Sequence, residues 1–252
     1  MGLTFPSRPN KQHHVAMRRL ARVSGLVLAA LGVLALAWVL VVWQWQDPFT
    51  ALYTTWQQHR LSEQLDHEFA QARAQPRPVT VRLGGGKAEA RAIERAAARF
   101  RRTAKAGQAI GRIVVPRLGL NMVLVNGTDE ASLEHGPGRD LVSYMPGQSR
   151  LVYIAGHRTT FLAPFSKIDT MRPGDPIRLK MPYGTFVYRT VRHVIVPATD
   201  LAVLRSPHHE RLALQACNPR FFATQRYIVY ARLVAVDPPS GPPLSPQLLA
   251  AP

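Results

Sequence analysis

Four textures of apolar and polar residues follow one another along the 252-residue chain. The first is the stretch from Gly25 to Trp43, in which 19 consecutive residues carry no charge. As a helix, a run of that length crosses the hydrocarbon of a bilayer. A helix buried in a soluble core keeps a polar face, and this run has none. The pattern predicts a membrane-spanning helix over residues 23–43. The second texture is helical and more polar. Leu52, Trp56, Leu61, Leu65 and Phe69 recur three to five residues apart within 47–75, and Pro76 and Pro78 stop that helix. Gly84-Gly-Gly86 reads as a flexible joint, and Lys87 to Lys105 as a second helix rich in Ala, Arg and Glu. Its apolar face is thin, limited to Ile93, Phe100 and alanines, which points to a stalk rather than to core. Residues 44–106 are therefore expected to be a helical stalk or linker that lifts the rest of the chain off the bilayer.

The third texture begins at Gly107. Short β-branched and apolar runs alternate with Gly/Pro turns at close spacing. Strands are expected near Gly111–Pro116, Met122–Asn126, Arg150–Ala155, Pro176–Lys180, Thr185–Pro197, Arg211–Cys217 and Tyr227–Val236. Gly136-Pro-Gly138, Pro146-Gly147, Pro173-Gly174 and Tyr183-Gly184 supply turn signals, and 129–134 and 166–171 read as short helices. Seven or eight short strands with brief turns make residues 107–237 a mainly β domain, a closed or nearly closed barrel. The last texture, residues 238–252, is Pro-rich and disordered by composition.

Charge adds an orientation. Arg8, Lys11, Arg18, Arg19 and Arg22 precede the apolar run, whereas the next cation after it is Arg60. An excess of Lys and Arg on one flank keeps that flank in the cytoplasm. Residues 1–22 then form a basic cytoplasmic tail, and the barrel lies outside the cell. A cleaved signal peptide with its cut near Ala35-Leu-Ala37 is the rival reading. The apolar run continues six residues past Ala37, and Trp38, Trp43 and Trp45 suit interfacial anchoring, so the anchor is preferred. The formal net charge is +17. Nucleic acid is one partner such a charge suggests, yet the chain carries no zinc-finger, RNP or Walker pattern. An anionic envelope accounts for a solvated basic face equally well.

The chain has one cysteine, Cys217, so it forms no internal disulfide. Outside the cytoplasm a lone thiol is either buried and inert or kept for chemistry. Cys217 ends an alternating apolar run, and Arg226 follows nine positions later at the start of another. His157 stands at the end of a separate strand, in Ala155-Gly-His-Arg-Thr-Thr160. Cys, His and Arg at the ends of different strands can meet on one sheet edge and serve thiol-based acyl transfer. A free thiol has a pKa of about 8.5 and needs a base or a cation nearby to react at neutral pH. His135, His193, His208 and His209 have no metal-ligand spacing, and no metal or cofactor is expected.

Several segments in one order resemble the sortases, membrane-anchored cysteine transpeptidases of Gram-positive bacteria, and most of all their class E. These are Gly111-Arg-Ile-Val-Val-Pro-Arg-Leu-Gly-Leu120, Val125-Asn-Gly-Thr128, Leu133-Glu-His-Gly-Pro-Gly138, Ala155-Gly-His-Arg-Thr-Thr160, Pro164-Phe165, Pro173-Gly-Asp175 and Cys217-Asn-Pro-Arg-Phe221 through Gln225-Arg226. The resemblance covers roughly residues 107–236. It implies a sortase-like closed barrel of about eight strands, with Cys217 as nucleophile, His157 as general acid/base and Arg226 as the oxyanion or substrate-orienting group. Thr159 and Thr160 either line the substrate groove or satisfy a turn, and Ala216 is an expected substrate-binding position through its backbone N–H. The implied substrates are surface proteins with a C-terminal Leu-Pro-x-Thr-Gly or Leu-Ala-x-Thr-Gly sorting signal. These are cut after Thr and passed to an amine of a peptidoglycan precursor, or to a pilin lysine in a pilin-polymerising enzyme.

The pattern has departures and competitors. Ala216 stands where most sortases carry Thr before the cysteine. Asp47-Pro-Phe49 resembles the lid of pilin-type sortases but lies far from the barrel in sequence. Arg220 competes with Arg226. Arg158 is expected on the face opposite His157, in a surface or structural role. Glu130 and Glu134 read as solvated or capping residues. Peptidases of the papain type place Cys before His in the chain, the reverse of the order here. A catalytically silent barrel that binds envelope partners is the reading from a different class.

Overall fold

The computed structural model describes residues 11–45, 48–74 and 85–238. The expected disordered tail, apart from Pro238, lies outside them, as do residues 1–10 of the basic tail, Asp47, Pro76 and Pro78. The chain divides into two compact units, residues 1–46 and 47–252.

The first unit is one helix, α1 (Lys11–Trp45). Its stretch Arg19–Val41 has a mean hydropathy of 2.5 and no buried part. By length and composition it is able to cross a membrane, as the uncharged run predicts.

The second unit is built on a closed barrel of eight strands. In chain order these are β1 (Ala109–Val115), β2 (Leu120–Asn126), β3 (Gly138–Arg139), β4 (Leu151–Ala155), β5 (Pro176–Met181), β6 (Gly184–Pro197), β7 (Arg211–Asn218) and β8 (Gln225–Asp237). Around the barrel the order is β1-β2-β3-β4-β7-β8-β6-β5, and β5 closes onto β1. Alternation within strands follows the pleat: Ile177, Leu179 and Met181 of β5 are buried in the interior, while Arg178 and Lys180 are exposed. The sequence missed β3, where Gly136-Pro-Gly138 reads as a turn. A two-residue strand is too short to show a period, and its Arg139 looks like a surface charge. Arg139 is in fact 1% exposed. It donates to Asn126 Oδ1 and to the carbonyls of Asp140 and Ser143. Burial lowers its pKa to about 10.

Two helices outside the barrel correct the stalk expectation. Helix α2 (Pro48–Ala74) buries Leu61 and Leu65 against Ala109, Val123 and Val125. Leu52 and Trp56, counted in its apolar stripe, are exposed. Polar residues continue the docking face instead. Thr54 donates to the Glu134 carbonyl, and the Gln58 amide both donates to the carbonyls of Val123 and His135 and accepts from Val123 N–H. Helix α3 (Gly85–Thr103) buries Ala90, Ile93 and Ala97 in the main core cluster. Its thin face is a contact face, because alanines let a helix approach a sheet closely. Gly85 and Gly86, expected in a joint, open this helix. Helix α4 (Glu130–His135) is capped by Asp129, whose carboxylate accepts from Ser132 N–H, and lies in the crossover between the parallel strands β2 and β3.

Candidate active site

Two strand pairings assemble the site. Strands β4 and β7 are parallel, paired from Leu151↔Arg211 to Ala155↔Gln215. Gly156 N–H continues that ladder by donating to the Gln215 carbonyl at 3.0 Å. Carried forward by two residues, the same register brings His157 level with Cys217. Strands β7 and β8 are antiparallel and pair Cys217 with Arg226 directly. Cys217 and Arg226 are thus neighbours across β7 and β8, and His157 lies two residues past the end of β4, the strand on the other side of β7.

The pleat decides which side of the wall each occupies. Ala216 and Tyr227, themselves paired, are buried in the interior core. Cys217 and Arg226, one position away, are half-buried on the opposite face. Ala216 is 0% exposed, which removes its methyl from any substrate on the outer face. What position 216 can still offer a substrate is its backbone N–H, as expected once alanine replaces the usual threonine. Thr159 and Thr160 are half-buried in the loop after His157, where the Thr160 carbonyl accepts from Ala163 N–H.

His157 is half-buried, and the Phe161 ring lies 5.0 Å from its own. Its Nε2 is buried with no hydrogen-bond partner among the described residues. Burial lowers its pKa below the ordinary histidine value, opposed by the charges of Glu134 and then Glu130 on α4. Those two glutamates therefore act on the site through space, a role with no local sequence signal. Phe161, Leu162 and Ala163 all have positive φ, of 51°, 60° and 38°. For residues with a Cβ that left-handed turn is strained. It is held in part by α2, where Thr50 Oγ1 accepts from Phe161 N–H at 3.2 Å. Residues beside Asp47-Pro-Phe49 thus reach the histidine loop, despite their distance in sequence.

Arg226 Nη1 donates to the carbonyls of Ala223 at 2.7 Å and Gln225 at 3.0 Å. One nitrogen fixes the guanidinium while the others remain available to an anion. Its competitor Arg220 is exposed in the β7–β8 loop. Arg158 is neither on the surface nor idle. It is 6% exposed and ion-paired to Asp169 at 3.1 Å. It also donates to the carbonyl of Cys217 at 3.2 Å and to Asn218 Oδ1 at 2.8 Å. The expectation of an opposite face assumed that β4 runs on through residue 158, whereas β4 stops at Ala155.

Comparison with known proteins agrees with this geometry. Residues 113–234 match the sortase domain family. Sortase D of Bacillus subtilis (strain 168) is 34% identical over 132 residues, which is 51% of this chain and 65% of that protein. The chain spans less than two thirds of the curated relatives it matches, and only 43% of sortase SrtE1 of Streptomyces coelicolor. Among solved structures, the Clostridium perfringens sortase D5 transpeptidase is 26% identical with a TM-score of 0.50, over 56% of this chain and 88% of that one. Streptomyces coelicolor sortase E1 with a tripeptide in its active site is 25% identical with a TM-score of 0.50, over 54% and 94%. Over residues 113–234 the β-barrel of this chain matches the sortase domain family, and it shares the fold of the solved sortases.

Proposed function

We propose that this chain is a membrane-anchored cysteine transpeptidase that cuts a C-terminal sorting signal between Thr and Gly and transfers the new carboxyl end to an amine. The observation that supports the reading is the pairing of Cys217 with Arg226 across β7 and β8, with His157 just past the end of β4, which pairs with β7 on its other side. In the reaction, Cys217 Sγ attacks the threonine carbonyl carbon and its proton passes to His157. The guanidinium of Arg226 donates to the oxyanion of the tetrahedral intermediate. Collapse breaks the Thr–Gly bond, and the imidazolium of His157 protonates the departing glycine nitrogen. A thioester on Cys217 remains. An incoming amine attacks it, gives a proton to His157 and releases the thiol, so the new amide carries the threonine acyl group. The low basicity that burial gives His157 suits both directions of this proton transfer.

The proposed substrates are surface proteins with Leu-Pro-x-Thr-Gly or Leu-Ala-x-Thr-Gly signals, and the acceptor is a peptidoglycan precursor amine. The anchor is α1 with its N-terminus in the cytoplasm and the barrel outside the cell, supported by the cationic flank before the apolar run. The test is mass spectrometry of residues 47–252 incubated with both peptide types, with and without an added amine. The expected result is Thr–Gly cleavage with amine-dependent transfer, absent from Cys217→Ala. Absence of cleavage and of any thioester adduct on Cys217 refutes the reading.

A further inference from the structure

Arg158 acts where the parallel ladder between β4 and β7 runs out. The next rung after Gly156 N–H to Gln215 carbonyl takes the N–H of residue 158 to the carbonyl of Cys217. The chain leaves the sheet before that rung, and Phe165 N–H turns it back onto the His157 carbonyl at 3.1 Å. The side chain of Arg158 supplies the missing donor. Its Nη1 reaches the Cys217 carbonyl at 3.2 Å and Asn218 Oδ1 at 2.8 Å. Its Nη2 pairs with Asp169 at 3.1 Å, and the guanidinium carbon stands 5.7 Å from the centre of the Tyr227 ring. One buried cation therefore ties together the peptide of the nucleophile, the residue after it, and the short 3-10 turn that carries Asp169.

We propose that Arg158 is a positioning residue for Cys217: its guanidinium, anchored by Asp169, replaces the last rung between β4 and β7 and holds the thiol in register with His157. The inference rests on the acyl-transfer reading for its catalytic consequence, but the grip on Cys217 is a property of the fold. A bare guanidinium buried this deeply is costly, and a packing role is met more cheaply by an apolar side chain. What the charge adds is directional. The planar fork donates to a carbonyl and a side-chain oxygen through one nitrogen while the carboxylate fixes the other.

The test uses the full chain in detergent, with Arg158→Gln, Arg158→Lys and Asp169→Asn. Three quantities are read: kcat and KM on a sorting peptide with amine, the rate of Cys217 alkylation by iodoacetamide at neutral pH, and Tm. Loss of alignment at a reacting atom costs on the order of 100-fold in rate, so Arg158→Gln is expected to lower kcat about 100-fold with KM within about twofold. Its alkylation is expected to slow as well. Arg158→Lys keeps the charge without the fork and recovers about tenfold of that loss. A kcat for Arg158→Gln within threefold of the parent overturns the proposal, as does a loss equal in Gln and Lys variants that tracks Tm alone. Should Arg158→Gln fail to fold, Asp169→Asn decides, since its side chain is 51% exposed. Unchanged kcat and alkylation in that variant also overturn it. If the parent itself neither cleaves nor transfers, the acyl-transfer reading falls, while the alkylation rates still report whether Arg158 holds Cys217.

Discussion

Truncating Ile93 to alanine separates a packed helix from a stalk. Ile93 is 5% exposed and belongs to the main core cluster. Its Cγ2 lies 2.9 Å from where a Cβ on Gly147 would stand, and the Phe186 ring approaches the same point at 3.0 Å. Three carbons leave with the substitution, at about 0.8 kcal/mol each for transfer. The backbone of Gly147 and the ring of Phe186 limit collapse into the gap, so a cavity term adds to this and the expected loss is about 3 kcal/mol. The control is Arg95→Ala on the exposed side of α3, expected within about 0.5 kcal/mol of the parent. The assay is urea unfolding of residues 47–252, with equal slopes for parent and variants so that midpoints compare directly. A barrel begun at Gly107 lacks Ala90, Ile93 and Ala97 and is expected to lose cooperative unfolding. A loss below about 0.5 kcal/mol for Ile93→Ala would refute the packing argument and restore the stalk.

Other consequences follow from single groups. Gly147 has φ +92°, and an added Cβ meets Ile93 and Phe186 at 2.9 and 3.0 Å; Gly147→Ala should therefore destabilise by about 2 kcal/mol, and an unchanged unfolding midpoint contradicts this. The carboxylate of Glu210 is buried at the Gly147 loop, where it accepts from the N–H groups of Gly147 and Ser149 and from Tyr188 O–H. Burial outweighs those donors and raises its pKa from 4.5 to about 7. An acid raised on folding contributes stability that is complete below 4.5 and lost as pH rises to about 7, on the order of 3 kcal/mol at 1.36 kcal/mol per pH unit. Unfolding curves across that window should show the slope in the parent and its absence in Glu210→Gln; equal slopes sink the assignment. Glu134 and Glu130 raise the pKa of His157 against burial. The double variant Glu130→Gln/Glu134→Gln should move the His157 ring titration, followed by NMR in Cys217→Ala, to lower pH, and a move upward would contradict the electrostatic argument.

Much of the fold was legible because short-range physics writes it. Two-residue alternation marks β5 and β7, an uncharged run marks α1, and Asp129 followed by Ser132 marks the start of α4. Candidates for the chemistry were legible too: a lone cysteine, a histidine and an arginine at three strand ends limit the choices, and the resemblance ordered them. That the strand before His157 lies beside the strand carrying Cys217 depends on the parallel pairing of β4 with β7, which two strands separate in the chain. Registers between strands that distant are set by the closure of the barrel, and no local window contains them.

By itself, then, the sequence determined a helix long and apolar enough to span a membrane, the barrel class and the candidates Cys217, His157 and Arg226. Tertiary structure alone decided that α2 and α3 are packed parts of the barrel unit. Beside Leu61, Leu65 and Ile93, their contact faces are built of alanine, Thr54 and Gln58, which no hydrophobic period registers, because what these residues contribute is close approach and hydrogen bonds to a partner elsewhere in the chain. It decided the place of Arg158 for a similar reason. Strand parity sends that residue to the interior side, with Val152 and Ile154, only while the strand continues, and β4 ends three residues earlier. A charge is read as solvent-facing until its counter-charge and carbonyl partners are in view, and Asp169 and Cys217 meet Arg158 only once the barrel has closed.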